Sequence, residues 1–170
     1  MAGRRLAQLL GVLSLSATDR FRAAVEGSLG RAGAHAAALV HLRAYPGDSL
    51  QALAAVLGVS QPAAVKVADR LSTDGLLRRR RGPDNRTLAL HLTVKGRSAA
   101  AQVLADRESE LDHVLAVLDS GERERLEPLL EKLVAGLAED RPGALTACRM
   151  CDRTACCGAA AGCPLQHTVA

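Results

Sequence analysis

Apolar positions in the middle of the chain recur at helical spacing and then switch to alternation. Leu50, Leu53, Ala54 and Leu57 form one apolar face between a capping-box start, Asp48 with Gln51 three residues on, and a stop at Gly58. A second short helix follows, with Ser60 as its cap, Pro62 in its first turn, Val65, Ala68 and Leu71 on its buried side, and Asp74-Gly75 at its end. From Leu76 the period shortens: Leu77 leads into Arg78-Arg79-Arg80-Arg81, the turn Gly82-Pro83-Asp84-Asn85 reverses the chain, and Leu88, Leu90 and Leu92 fall on one face of a strand from Thr87 to Thr93. Longer helical stripes flank this unit. Leu13, Phe21, Val25 and Leu29 mark one before it, and Ala99, Val103, Leu104, Leu111, Val114, Leu115 and Leu118 mark one after it. Asp119-x-x-Glu122 caps a further helix bearing Leu126, Leu129, Leu130, Leu133, Val134 and Leu137, which stops at Asp140-Arg141-Pro142-Gly143, a hinge into the tail.

The predicted fold is therefore mainly α. It is a helix-turn-helix followed by a small β-hairpin wing, with long helices on both sides that have little to bury against except a second copy. Composition agrees: Phe21 and Tyr45 are the only aromatic residues among 170, so Leu, Val and Ala must fill the core. The net charge of +4 says little alone, but its concentration in Arg78–Arg81 beside a helix-turn-helix points to double-stranded DNA. On the second helix, Ser60, Gln61, Ala63 and Lys66 lie early enough to approach DNA. Gln61 and Lys66 are expected at base edges and Arg70 at phosphate. Arginines that alternate along a strand cannot all face one way, and Arg78 and Arg80 are taken as the DNA-facing pair. The basic start Arg4-Arg5 before Leu6–Leu15 has the outline of a secretory signal, but Gln8 interrupts it and the helical pattern runs on. With no run of about 20 apolar residues to span a membrane, the expected location is the cytoplasm, where thiols stay reduced.

The stretch from about Leu39 to Arg97 resembles the MarR family of winged-helix transcriptional regulators. The residues that carry the resemblance are "LQALAAVLGVSQPAAVKVADRLSTDGLLRR" and the wing "PDNRTLALHLTVKGR". It extends over residues 1–140, with a DNA-binding core at 35–97. It implies an obligate homodimer built from the first and last two of these helices, acting as a repressor on a pseudo-palindromic operator. It also implies that Arg86 enters the minor groove and that Asp84 orients it. Arg86→Ala is then expected to weaken operator binding by about 1–3 kcal/mol. The commonest effector of the family, a small apolar molecule, is the alternative signal. Nothing resembles a nucleophilic triad, phosphate loop or nucleotide fingerprint, so no enzyme activity is expected. Glu110-x-x-His113 reads as a solvated pair, since a di-iron bundle needs two such motifs.

All five cysteines lie in the tail, residues 141–170, as C-x2-C-x4-C-C-x5-C-P. A disordered tail with incidental cysteines, a thiol–disulfide sensor and a metal centre compete, and five cysteines gathered in one place count against the first. Arg149 and Arg153 near the thiols suit a thiol–disulfide sensor. Zinc suits four thiolates, though only Cys148-x2-Cys151 has knuckle spacing. An iron–sulfur cluster tolerates irregular spacing, and Cys163-Pro164 has the ending of bacterial ferredoxin runs. Cys151-x5-Cys157-x5-Cys163 followed by His167 resembles the ligand run of IscR-type regulators, and Cys148-x2-Cys151-x5-Cys157 is similar to part of the WhiB-like pattern. Gly158 to Gly162 leave backbone N–H groups open toward sulfur. The expectation is an iron–sulfur cluster on Cys148, Cys151, Cys156 and Cys163, with Cys157 the rival of Cys156, sensing redox state, nitric oxide or iron supply. Zinc is the alternative cofactor.

Overall fold

The computed structural model describes residues 2–31, 33–81, 88–157 and 162–169. Its elements run α1 (Ala2–Leu29), α2 (Ala34–Ala44), α3 (Leu50–Leu57), α4 (Gln61–Thr73), β1 (Leu77–Arg81), β2 (Leu88–Leu92), α5 (Val94–Leu115), α6 (Ser120–Ala135), α7 (Arg141–Ala147) and α8 (Arg153–Cys157), then a 3-10 turn (Gln166–Val169). The hairpin turn expected at Gly82–Asn85, with Asp84 and Arg86, lies outside the described residues. Among the described residues no single helix is long and apolar enough to cross a membrane.

Helix α2 is buried on nearly all sides, because Ala36, Ala37, Ala38, Leu39, Val40 and Leu42 leave it no polar face. It forms the centre, with α5 on one side and α3, α4 and the hairpin on the other. Leu53, Leu57, Val67, Leu71, Leu90 and Leu92 close the main core around it. The strands pair antiparallel from Leu77↔Leu92 to Arg81↔Leu88. Helix α1 lies along α5 through Phe21, Val25, Val103 and Leu104. Glu110 does not pair with His113 but accepts from Arg20 Nε of α1 at 2.8 Å.

Several details depart from the sequence pattern. Ser49, not Asp48, caps α3, its side chain accepting from the Ala52 N–H at 3.1 Å. The Asp48 carboxylate is engaged instead by His41 Nε2 at 2.7 Å, a contact from α2 that outcompetes local capping. Ser60 occupies the cap position of α4 without a side-chain bond. Leu88 is 48% exposed because it sits beyond the core, while its neighbour Ala89 is buried. Asp140 does not stop a helix but starts one: its carboxylate accepts from Gly143 N–H at 2.8 Å, and Pro142 fits the first turn of α7. The capping box at Asp119 and Glu122 forms in both directions.

Helix α7 lies against α3, where Thr146 Oγ1 donates to the Ala55 carbonyl at 3.2 Å. Ala138, Ala144 and Leu165 make a small apolar cluster in the tail, and Cys148 and Cys163 pack against it. Half-buried Met150 packs against both the main core and the α1–α5 cluster. By contrast, α6 has no buried residue, and Leu6, Leu129 and Leu133 are 69, 59 and 55% exposed.

Candidate nucleic-acid interface and cysteine centre

Burial on α4 alternates with the helix period. Ala64, Val67, Ala68 and Leu71 face the core, so Gln61, Lys66 and Arg70 project to solvent on the opposite side, with Ser60 exposed just before them and Ala63 half-buried. Arg70 Nε also pairs with Asp74 Oδ1 at 3.5 Å, and Arg31 Nη2 holds the other oxygen of the same carboxylate at 3.0 Å. The end of the helix is thereby tied to the segment before α2.

Beside α4 runs the arginine strand. Arg78, Arg79, Arg80 and Arg81 are all exposed, while the sheet buries Leu77 on this strand and Ala89, Leu90 and Leu92 on its partner. Arg79 Nη2 reaches Asp69 Oδ1 on α4 at 2.6 Å and braces the wing to the helix. Arg78 and Arg80 share the other face of the strand, opposite His91 and Ala89. A second brace lies at the start of α5. Thr93 N–H donates to Leu76 O at 3.0 Å, Thr93 Oγ1 to Gly75 O at 2.7 Å, and Lys95 Nζ to Asp74 O at 3.1 Å. Gly96 lets this approach happen, since a Cβ there would stand 1.9 Å from Leu76 O.

In the tail, Cys148, Cys151, Cys157 and Cys163 line one cavity of about 40 Å³, facing His41 of α2 and Tyr45 just after it. Cys156 is exposed and borders a separate groove along α6 with Leu126, Leu130 and Val134. Cys151 stands beside Cys156, and Cys157 beside Cys163. Burial, then the neighbouring thiols, pushes Cys151 from 9.0 up to about 12. Burial and then Cys163 raise Cys148, and the same two influences raise Cys157. Arg153 pulls Cys148 and Cys157 down, but burial outweighs it. Among the described residues, no three His, Cys, Asp or Glu side chains converge as metal ligands. His167 is turned away, its ring nitrogens 3.2 Å from the carbonyl oxygens of Pro164 and Ala138.

Residues 29–86 match the family model described as MarR family. Over these residues the chain is similar to the MarR family. It is 33% identical over 103 residues to the transcriptional repressor MprA of Escherichia coli, a match covering 59% of this chain and 58% of the repressor, so it spans little more than half of that relative's length. Among solved structures, the YusO protein of Bacillus subtilis superposes with a TM-score of 0.70 at 22% identity, covering 79% of this chain and 96% of that one. The MarR family protein RV2887 of Mycobacterium tuberculosis superposes with a TM-score of 0.61 at 27% identity, covering 75% and 92%.

Within the matched residues, the structure gathers Ser60, Gln61, Lys66 and Arg70 on one solvent face with Arg78 and Arg80 on the adjoining strand. The sequence pattern missed the braces at Arg79 and Gly96. An acidic residue one helical face away from a basic strand was the only sign of the first. The small residue in "LTVKGR" was the only sign of the second.

Proposed function

We propose that this chain is a transcriptional regulator that binds double-stranded DNA as a homodimer, represses from a pseudo-palindromic operator, and carries on its tail cysteines an iron–sulfur cluster that senses redox state, nitric oxide or iron supply. The observation that carries the DNA reading is the exposed row of α4 beside four exposed arginines of β1. The exposed leucines of α1 and α6 support a second copy as their cover. Two such copies would present their α4 helices about one DNA turn apart, roughly 34 Å.

What supports the cluster is the donor chemistry: four thiols line one cavity, and Arg149 on the same wall offsets charge that four thiolates would bring. Cys148, Cys151 and Cys163 serve as ligands with Cys157, which shares their cavity, while its rival Cys156 borders the neighbouring groove beside Cys151. When bound, the cluster supplies a one-electron centre reactive toward oxygen and nitric oxide. The residues' own part is to hold the sulfurs near α2, against the apolar side chains of Val40, Ala44 and Leu145. The side-by-side cysteines favour a thiol–disulfide switch as a second reading, but a thiol near 12 is only about one part in 10⁵ thiolate at neutral pH, a poor start for exchange.

Anaerobic purification followed by visible absorption, iron and acid-labile sulfide analysis tests the cluster. A coloured protein that bleaches in Cys148→Ala or Cys163→Ala supports it. Colourless protein with zinc makes the tail structural, and protein with neither metal returns the thiol switch. Binding to a duplex selected by the protein from random sequence, weakening steeply with salt, tests the DNA reading.

A further inference from the structure

We propose that Arg153 and Tyr45 transmit the state of the cysteine centre to the DNA-binding half; the inference rests on the sensing role just proposed. Arg153 belongs to α8, the short helix that also bears Cys156 and Cys157. This helix has no buried residue, so its placement depends on the neighbouring sulfurs and on what Arg153 grips. The Arg153 guanidinium lies 5.0 Å from the centre of the Tyr45 ring and donates a hydrogen bond to the Tyr45 hydroxyl.

From Tyr45 a line of contacts leads inward. Its ring stacks on His41 at 5.0 Å, and its backbone N–H donates to the His41 carbonyl at 2.8 Å at the end of α2. His41, with its side chain 5% exposed, meets the Asp48 carboxylate at 2.7 Å. Asp48 then accepts from Leu90 N–H at 2.9 Å through its own carbonyl, and Gly47 N–H donates to Leu90 O at 2.8 Å. Leu90 lies at the middle of strand β2, and Ser49, the cap of α3, bridges to Ala89 next to it. Four side chains thus join the sulfur-bearing helix to the wing and to the start of the helix-turn-helix. A helix held by sulfur contacts and one cation–ring pair moves when those sulfur contacts change, and the pair carries that movement to α2. A second side-chain hydrogen bond from the tail, Thr146 to Ala55, reaches α3 without touching the wing.

The test uses the full chain, reconstituted anaerobically with iron and sulfide or stripped of metal, binding a duplex selected by the protein from random sequence. Equal affinity of loaded and stripped wild-type protein would defeat the sensing role itself, and the proposal with it. Given a wild-type difference in the range of about 5- to 150-fold, Arg153→Ala and Tyr45→Leu should each reduce it to about twofold while iron content stays at the wild-type level. Thr146→Val should keep the full difference. Retention of the wild-type difference in both Arg153→Ala and Tyr45→Leu would overturn the proposal, as would its loss in Thr146→Val. Loss of bound iron in both pair variants would also overturn it, because the pair would then build the centre rather than report it.

Discussion

Replacing Gly96 with alanine tests how closely the wing is pressed onto α5. The added methyl would stand 1.9 Å from the Leu76 carbonyl oxygen and 2.9 Å from its carbon, both backbone atoms that cannot rotate away. A carbon and a carbonyl oxygen come no closer than about 3.3 Å at equilibrium, so the turn before β1 must retreat by more than an ångström. That retreat breaks the bond from Thr93 N–H to Leu76 O, now 3.0 Å, for about 1 kcal/mol. Overpacking adds about 1–3 kcal/mol, giving a loss of about 2–4 kcal/mol. For a chain of this size each kcal/mol lowers Tm by about 2–4 °C, so a drop of about 5–15 °C is expected by circular dichroism at fixed protein concentration. Gly27→Ala, where a Cβ meets nothing within 4 Å, is the matched control and should hold or raise Tm. A Gly96→Ala protein melting within about 1 °C of wild type would refute the reasoning.

Asp119→Ala removes one half of a capping box whose bonds are 2.8 and 3.0 Å; urea unfolding should show a loss of about 1 kcal/mol, and an unchanged midpoint would mean that the box carries no stability. Tyr45 is the only tyrosine in a chain without tryptophan and borders the thiol cavity, so its emission should be quenched on reconstitution with iron and sulfide, whose absorption accepts the energy, and persist with zinc. In metal-stripped protein at pH 8, exposed Cys156 should alkylate before Cys151, whose thiol stays neutral; peptide mass mapping that finds Cys151 labelled first would contradict its burial. Because the Cys151 pKa is raised on folding from 9.0 to about 12, its contribution is whole below about pH 9 and is lost as pH climbs toward 12; Tm of stripped protein should fall across that window, and a smaller fall is expected in Cys151→Ala.

What the sequence made legible follows from how local each signal is. The capping box at Asp119, the stop at Gly58 and the alternation through Leu90 and Leu92 depend on neighbours within a turn or a strand, and they stand where the pattern placed them. The start of α3 slipped by one residue because His41, seven positions earlier, takes the Asp48 carboxylate across space. The Arg79–Asp69 brace spans ten residues and joins a strand to a helix, beyond any periodic rule. In the tail, small side chains concealed the packing. Ala138 and Ala144 look like filler in a composition count, yet they bury against Leu165, and half-buried Met150 packs against the main core. The difference between Cys156 and Cys157 is one of facing, set by the turn of α8 and by what lies on either side of it.

The bare leucines of α1 and α6 have a consequence for supply. A chain that completes its packing only against a second copy folds by a second-order process, so its folded fraction depends on how much chain is present. Dilution then separates and loosens the protein in one event, and occupancy of a two-fold site falls faster than the amount of chain. For the regulator proposed above, lower production would then loosen repression before any signal has reached a sulfur atom.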